Sequence, residues 1–137
     1  MKKIAIFAAI VLAGCSAPKP VASTALYDVL TQQSQGGATI RFYEILTQEN
    51  EIRMLMSDEA LRGKIRPEDM AKSNFVILNM GEKPTAGHSI TVAQARETAD
   101  SVILTIKETA PEGMAAQVMT YPYTVVRVNS KKKIIIE

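Results

Sequence analysis

The sequence predicts an α+β fold, mostly antiparallel β-sheet or a small β-sandwich with one early helix. Three features carry this reading. From Phe75 onward the chain consists of short apolar runs separated by turn residues, at the spacing of an all-β segment. His88–Val92 and Ser101–Thr109 alternate with period two, as half-buried strands do. One stretch alone, Gln48–Arg62, repeats its apolar residues with the period of a helix.

Taken in order, Tyr27-Asp28-Val29-Leu30 is a first small element, and Gln32 to Gly37 is a polar breaker containing Ser34 and the Gly36-Gly37 pair. Ile40–Leu46, rich in aromatic and β-branched residues, is a strand. Thr47 then caps a helix whose first turn carries Glu49 and Glu51, where negative charge suits the positive end of the dipole. Ile52, Leu55 and Met56 share its inner face, Ser57-Asp58 is a point where it can break, and Gly63 is a left-handed stop. Arg66–Asp69 is loop. Phe75-Val76-Ile77-Leu78 is apolar at every position, which suits a central strand covered on both faces. After Ser101–Thr109, Pro111-Glu112-Gly113 makes a turn. Ala116–Thr120, Tyr123–Val128 and Lys133–Ile136 bring the total to six or seven strands. The methionines, Met54, Met56, Met70, Met80, Met114 and Met119, read as adaptable core filler.

The most distinctive segment is "NMGEKPTAGHSI", Asn79 to Ile90. Pro84 fixes φ and removes a donor, while Gly81 and Gly87 permit backbone angles closed to other residues. Thr85 can bond its hydroxyl to nearby backbone amides. Such a loop keeps one shape without a ligand to order it, which lowers the cost of binding through it. It is either a presented surface or a rigid hairpin connection. His88, the single histidine, alternates onto the face of Ile90 and Val92 and caps the core near the end of the sheet. No second His, no neighbouring Cys and no paired carboxylates give it metal-ligand spacing, and no Gly-x-Ser-x-Gly elbow accompanies the serines. An enzyme is not indicated, and no cofactor or metal is called for.

"FVILNMGEKPTAGHSITV" followed by "SVILTIKETAPEGMAAQVMTYPYTVVRV" resembles the PrcB C-terminal domain family, named after an accessory subunit of a secreted bacterial protease complex. Gly81, Lys83, Pro84, Thr85 and Gly87 match the family's Lys-Pro-Thr-Gly-Gly-Tyr-like turn, and Pro122, Tyr123 and Val128 match its closing segment. Ala86 stands where the family tends to have glycine and His88 where it tends to have an aromatic residue. The resemblance spans roughly Phe75 to Val128. It implies a non-catalytic β domain that binds a protein partner, a protease among the candidates, with Lys83, Pro84, Thr85, Gly87 and His88 as the contact residues. The turn also resembles, over a few residues, the Asn-Pro-Thr-Thr-Gly-Tyr loop of chagasin-type cysteine protease inhibitors.

The N-terminus points to where the protein works. Met1-Lys2-Lys3 and the apolar Ile4–Val11 have the anatomy of a bacterial secretory signal, and Leu12-Ala13-Gly14-Cys15 resembles the lipobox of bacterial lipoproteins. The apolar run is far short of the roughly 20 residues a spanning helix needs. Cys15 is the one cysteine of the chain, so no intramolecular disulfide is available to it. The expected organisation is a signal peptide at 1–14, a lipidated tether at 15–24 with Pro18 and Pro20, and one β-rich domain at 25–137. Ser16 after the cysteine resembles the sorting signal for the outer membrane, which places the domain in the periplasm. Loss of the signal removes Lys2 and Lys3, so the formal charge of +2 disappears. Nucleic acid is not an expected partner, because phosphate binding depends on clustered excess Lys and Arg. Lys131-Lys132-Lys133 is a local exception, read as a solvated turn, a charged strand start or a lipid-headgroup contact. The alternative function is an envelope lipoprotein that binds a small ligand or a cell-wall polymer in a pocket between sheet and helix.

Overall fold

The structure is a computed structural model, and it describes residues 25–137. The signal, the lipidation site Cys15 and the tether up to residue 24 lie outside the described residues. Seven strands follow one another: β1 (Tyr27–Gln33), β2 (Phe42–Leu46), β3 (Asn74–Asn79), β4 (Ser89–Glu97), β5 (Ser101–Thr109), β6 (Tyr123–Val128) and β7 (Lys133–Ile136). Between β2 and β3 lie α1 (Glu49–Leu55), a 3-10 turn at Glu59–Leu61 and α2 (Asp69–Lys72). The strands form two sheets, in the orders β1-β6-β3-β2 and β4-β5-β7.

β3 is central, as its unbroken apolar run requires. Its odd and even positions feed two separate cores. Val76 and Leu78 join Val126 and Val128 of β6, Ile90 and Val92 of β4, Val102 and Leu104 of β5, and Ile134 of β7 in one cluster between the sheets. Phe75 points the other way and joins Val125, Leu30, Leu46 and the helical residues Ile52, Leu55 and Leu61. Two hydroxyls also cross between the sheets: buried Thr124 donates to the carbonyl of Ile90, and the Tyr27 hydroxyl donates to that of Val92 at 3.4 Å.

Several sequence expectations are corrected. The single helix is two short α-helices and a 3-10 turn, and α2 begins inside the segment read as loop. The break falls at Ser57-Asp58: the Ser57 hydroxyl turns back to the carbonyl of Met54 at 2.7 Å, and Asp58 caps the 3-10 turn through the amide of Ala60 at 2.9 Å. Gln48, not Thr47, occupies the N-cap position, because Glu51 reaches back to the amides of both Thr47 and Gln48. The second sheet is mixed, since β7 runs parallel to β5, with Val102 opposite Ile134 and Leu104 opposite Ile136. The chain leaves β6 in the first sheet and reaches β7 beside the start of β5, which fixes that direction. Ala116–Thr120 is not a strand. The amide of Val118 turns back on the carbonyl of Ala116 at 2.9 Å, and a ladder cannot use it. Of the methionines, Met80 is core and Met70 packs against the second cluster, whereas Met54, Met56, Met114 and Met119 are exposed. The lysine run starts β7 with Lys133; Lys131 donates to the carbonyl of Thr47 and Lys132 pairs with Glu97 at 2.6 Å.

Arg127 of β6 ties the helical connection to the sheet. It donates to Asp28 of β1 at 2.8 Å and to Asp69 of α2 at 3.2 Å. The Asp28 carboxyl is held below its ordinary range, first by the hydrogen bond from Asn129 and then by Arg127, against the opposing effect of burial. A carboxylate whose folded pKa is depressed contributes stability above its unfolded pKa and loses it as pH falls through the folded one. Thermal unfolding followed by circular dichroism should therefore show a melting temperature that drops on acidification below about pH 4. Asp28→Asn should lower stability near neutrality and flatten part of that acid slope.

Candidate functional site

The segment Gly81–Gly87 leaves β3 in the first sheet and enters β4 in the second, so it is a crossing between sheets and not a hairpin. Its backbone is fixed from both sides. On one side, the amide of Glu82 donates to the carbonyl of Thr39 at 3.0 Å. On the other, Lys83 and Thr120 exchange both backbone bonds at 2.8 Å, and the amide of Ala86 donates to the carbonyl of Ala116 at 2.9 Å. The Thr120 hydroxyl, fully enclosed, adds a bond to the carbonyl of Thr85 at 2.8 Å. The segment misread as a strand is thus the partner that holds the turn.

Two glycines are required here. Gly81 adopts φ +85°, and a Cβ on it would stand 3.0 Å from the amide nitrogen of Arg41. Gly87 adopts φ +89°, and its Cβ would meet Pro111 at 2.8 Å. Both positions exclude an ordinary side chain. Ala86 needs no such freedom, since no non-glycine residue in the described chain has positive φ.

Asn79, buried at the end of β3, organises the neighbouring loop. Its carboxamide accepts from the amide of Ala38 at 2.8 Å and donates to the carbonyls of Ala38 at 3.0 Å and Ile40 at 2.6 Å. Gly37 fits only without a side chain, because a Cβ there would lie 2.5 Å from Asn79 Oδ1 and 2.6 Å from the carbonyl of Tyr121. Tyr121 closes the arrangement by donating its hydroxyl to Glu82 at 3.0 Å, and this hydrogen bond, then the Glu82 charge, raises the phenol's pKa. Three loops, 34–41, 81–87 and 114–122, are therefore stitched into one end of the molecule. These loops expose Ile40, Met114, Val118 and Met119, and Pro84 is exposed as well.

The residues singled out from sequence come together in part. Lys83, Pro84, Thr85, Gly87 and His88 form one continuous stretch of this end. Thr85 does not bond a backbone amide with its hydroxyl; the oxygen lies 3.0 Å from His88 Nε2. His88 precedes β4 and is half-buried, facing a hollow with Gln32, Gln33, Ser34 and Ser89. Its Nδ1 is enclosed without a partner among the described residues. Thr85 and His88 thus share a hydroxyl–imidazole contact, and among the described residues no third group orients the ring. Sequence reasoning missed Asn79, Thr120 and Tyr121. The Asn at the end of an apolar strand and the Gly36-Gly37 pair were the available signals.

Among the described residues no group of three or more His, Cys, Asp or Glu could hold a metal ion, and no helix is long and apolar enough to cross a membrane.

Residues 74–129 match the family model PrcB C-terminal. The matched stretch starts at β3, contains the whole turn and its Thr120 partner, and ends just past β6. The chain is also similar to the uncharacterized protein MJ1373 of Methanocaldococcus jannaschii, 39% identical over 55 residues. That alignment covers 40% of this chain and 34% of the relative, so the chain spans about a third of the curated protein it matches. No solved structure matches the chain.

Asn79→Ala would remove the buried partner of three backbone groups in the exposed 36–41 loop. Each such hydrogen bond contributes roughly 0.5–1.5 kcal/mol. The expected outcome is a loss of about 2–4 kcal/mol in urea unfolding, with faster amide exchange in residues 36–41. Unchanged exchange in that loop would contradict the role assigned to Asn79.

Proposed function

We propose that this protein is a lipid-anchored lipoprotein of the cell envelope whose PrcB-type domain captures and stabilises an exported partner protein, a protease. The lipid on Cys15 holds the domain at the outer membrane, facing the periplasm, and the tether sets it off the bilayer. Binding is non-covalent and runs through Lys83, Pro84, Thr85, Gly87 and His88. The observation that carries the reading is the turn's rigidity: its backbone is bonded on both sides before any partner arrives, so little ordering entropy is lost on binding. The loops bonded to the turn also expose the apolar side chains of Ile40, Met114, Val118 and Met119, which add apolar area for a partner to cover. The match of residues 74–129 to a protease-associated family supports the class of partner.

Pro84→Ala combined with Thr85→Ala removes exposed or half-buried groups and leaves the Lys83–Thr120 backbone pair in place. Co-purification from envelope extracts should recover less partner with this variant while its melting temperature stays within a few degrees. Undiminished recovery would remove the turn from the interface. Cys15→Ser should shift the protein from the membrane to the soluble fraction, with loss of the acyl mass by mass spectrometry. A protein that stays membrane-bound with an unmodified serine would overturn the anchor.

A further inference from the structure

The two sheets have four edge strands, and three of them are blunted in ways that oppose further pairing. β1 has an irregularity between Val29 and Thr31, and Lys64 Nζ occupies the carbonyl of Leu30 at 2.7 Å. β4 is irregular between Val92 and Gln94, and its Ile90 and Val92 carbonyls take the Thr124 and Tyr27 hydroxyls. β7 is four residues long and preceded by Lys131 and Lys132. β2 is also short, with Arg41 before it, but it has no irregularity and no side chain on its carbonyls among the described residues. Its five residues pair with β3 in unbroken register, from Phe42 opposite Asn79 to Leu46 opposite Phe75. It contains no proline, lysine or bulge, and β3 is its one strand neighbour among the described residues. Phe42 and Ile45 are exposed along it.

We propose that the outer edge of β2 accepts an extended segment of another protein as an added antiparallel strand. Main-chain bonds give such strand addition its affinity and alternate side chains its specificity. The charge pattern selects the occupant. Glu44, at the centre of β2, is exposed, lies opposite apolar Ile77 on the β3 side and has no ion pair among the described residues. A second copy of this chain pairing symmetrically about the centre of β2 would set Glu44 directly against Glu44, and like charges so placed are destabilising. A segment with a basic residue opposite Glu44 and apolar residues opposite Phe42 and Leu46 fits instead. This edge is separate from the Lys83–Gly87 turn, and the two stand or fall independently.

The test uses a capped peptide, Thr-Val-Thr-Lys-Thr-Val-Thr, titrated into the isotope-labelled purified protein. Amide shift changes and exchange protection should concentrate on Phe42–Leu46. A peptide with Glu in place of Lys should bind about two- to fivefold more weakly, and Glu44→Lys should reverse that preference. Pro84→Ala with Thr85→Ala should leave the titration unchanged, which separates this edge from the turn. Perturbation centred away from β2 would overturn the proposal, as would a Lys-over-Glu preference that survives Glu44→Lys. Protection of β2 that grows with protein concentration in the absence of peptide would overturn it in favour of self-pairing.

Discussion

The rest of the structure depends on one constraint: β3 carries apolar side chains on both of its faces, and each face must be covered by something different. Val76 and Leu78 call for a second sheet, while Phe75 calls for the helical connection that packs through Ile52, Leu55 and Leu61. Phe75 and Val76 are both fully enclosed. Burying side chains of this size contributes about 1.5–3 kcal/mol each relative to exposure, so leaving either face open would be costly. The chain answers by sending residues 47–73 across one face and residues 89–109 across the other.

The turn follows from that arrangement. Because β3 belongs to the first sheet and β4 to the second, the chain must change layers within a few residues of Asn79. A layer change cannot use ladder bonds of either sheet, and its amides would otherwise be left to solvent or unsatisfied. Residues 34–41 and 114–122 supply the partners. The result is a segment whose geometry is set by its neighbours and whose Pro84 tip stays open. The rigidity of this end and its exposure therefore have the same origin.

Charge plays a smaller and more local part. Arg127 gathers Asp28 and Asp69 at one end of the molecule, fixing α2 against β1 and β6. Arg41 bonds Glu108 and the Tyr43 hydroxyl while lying 5.0 Å from the centre of the Tyr43 ring, which links the start of β2 to the end of β5. Burial raises the pKa of the Tyr43 phenol, and the Glu108 charge adds to the effect. These contacts lie at the margins of the two cores and orient pieces already brought together by apolar burial.

The residues themselves determined the strands that bury a face. Tyr123–Val128 and Ser101–Thr109 coincide with β6 and β5, and Phe75–Leu78 lies within β3, because apolar alternation or an unbroken apolar run reports burial directly. The match of residues 74–129 to the PrcB C-terminal family was likewise legible, as was the positive φ of Gly63, Gly81, Gly87 and Gly113. What only the tertiary structure decided was partnership. Ala116–Thr120 has the composition of a strand, yet its Val118 amide turns back on Ala116 and its Thr120 pairs with Lys83, so it became the brace of the turn. Lys133–Ile136 reads equally well in either direction, and only its position beside β5 made it parallel. Thr85 found an imidazole in place of an amide, and Asn79 found three backbone groups distant in sequence. Local pattern specifies which side chains must leave water; it does not specify which distant backbone will be waiting for them.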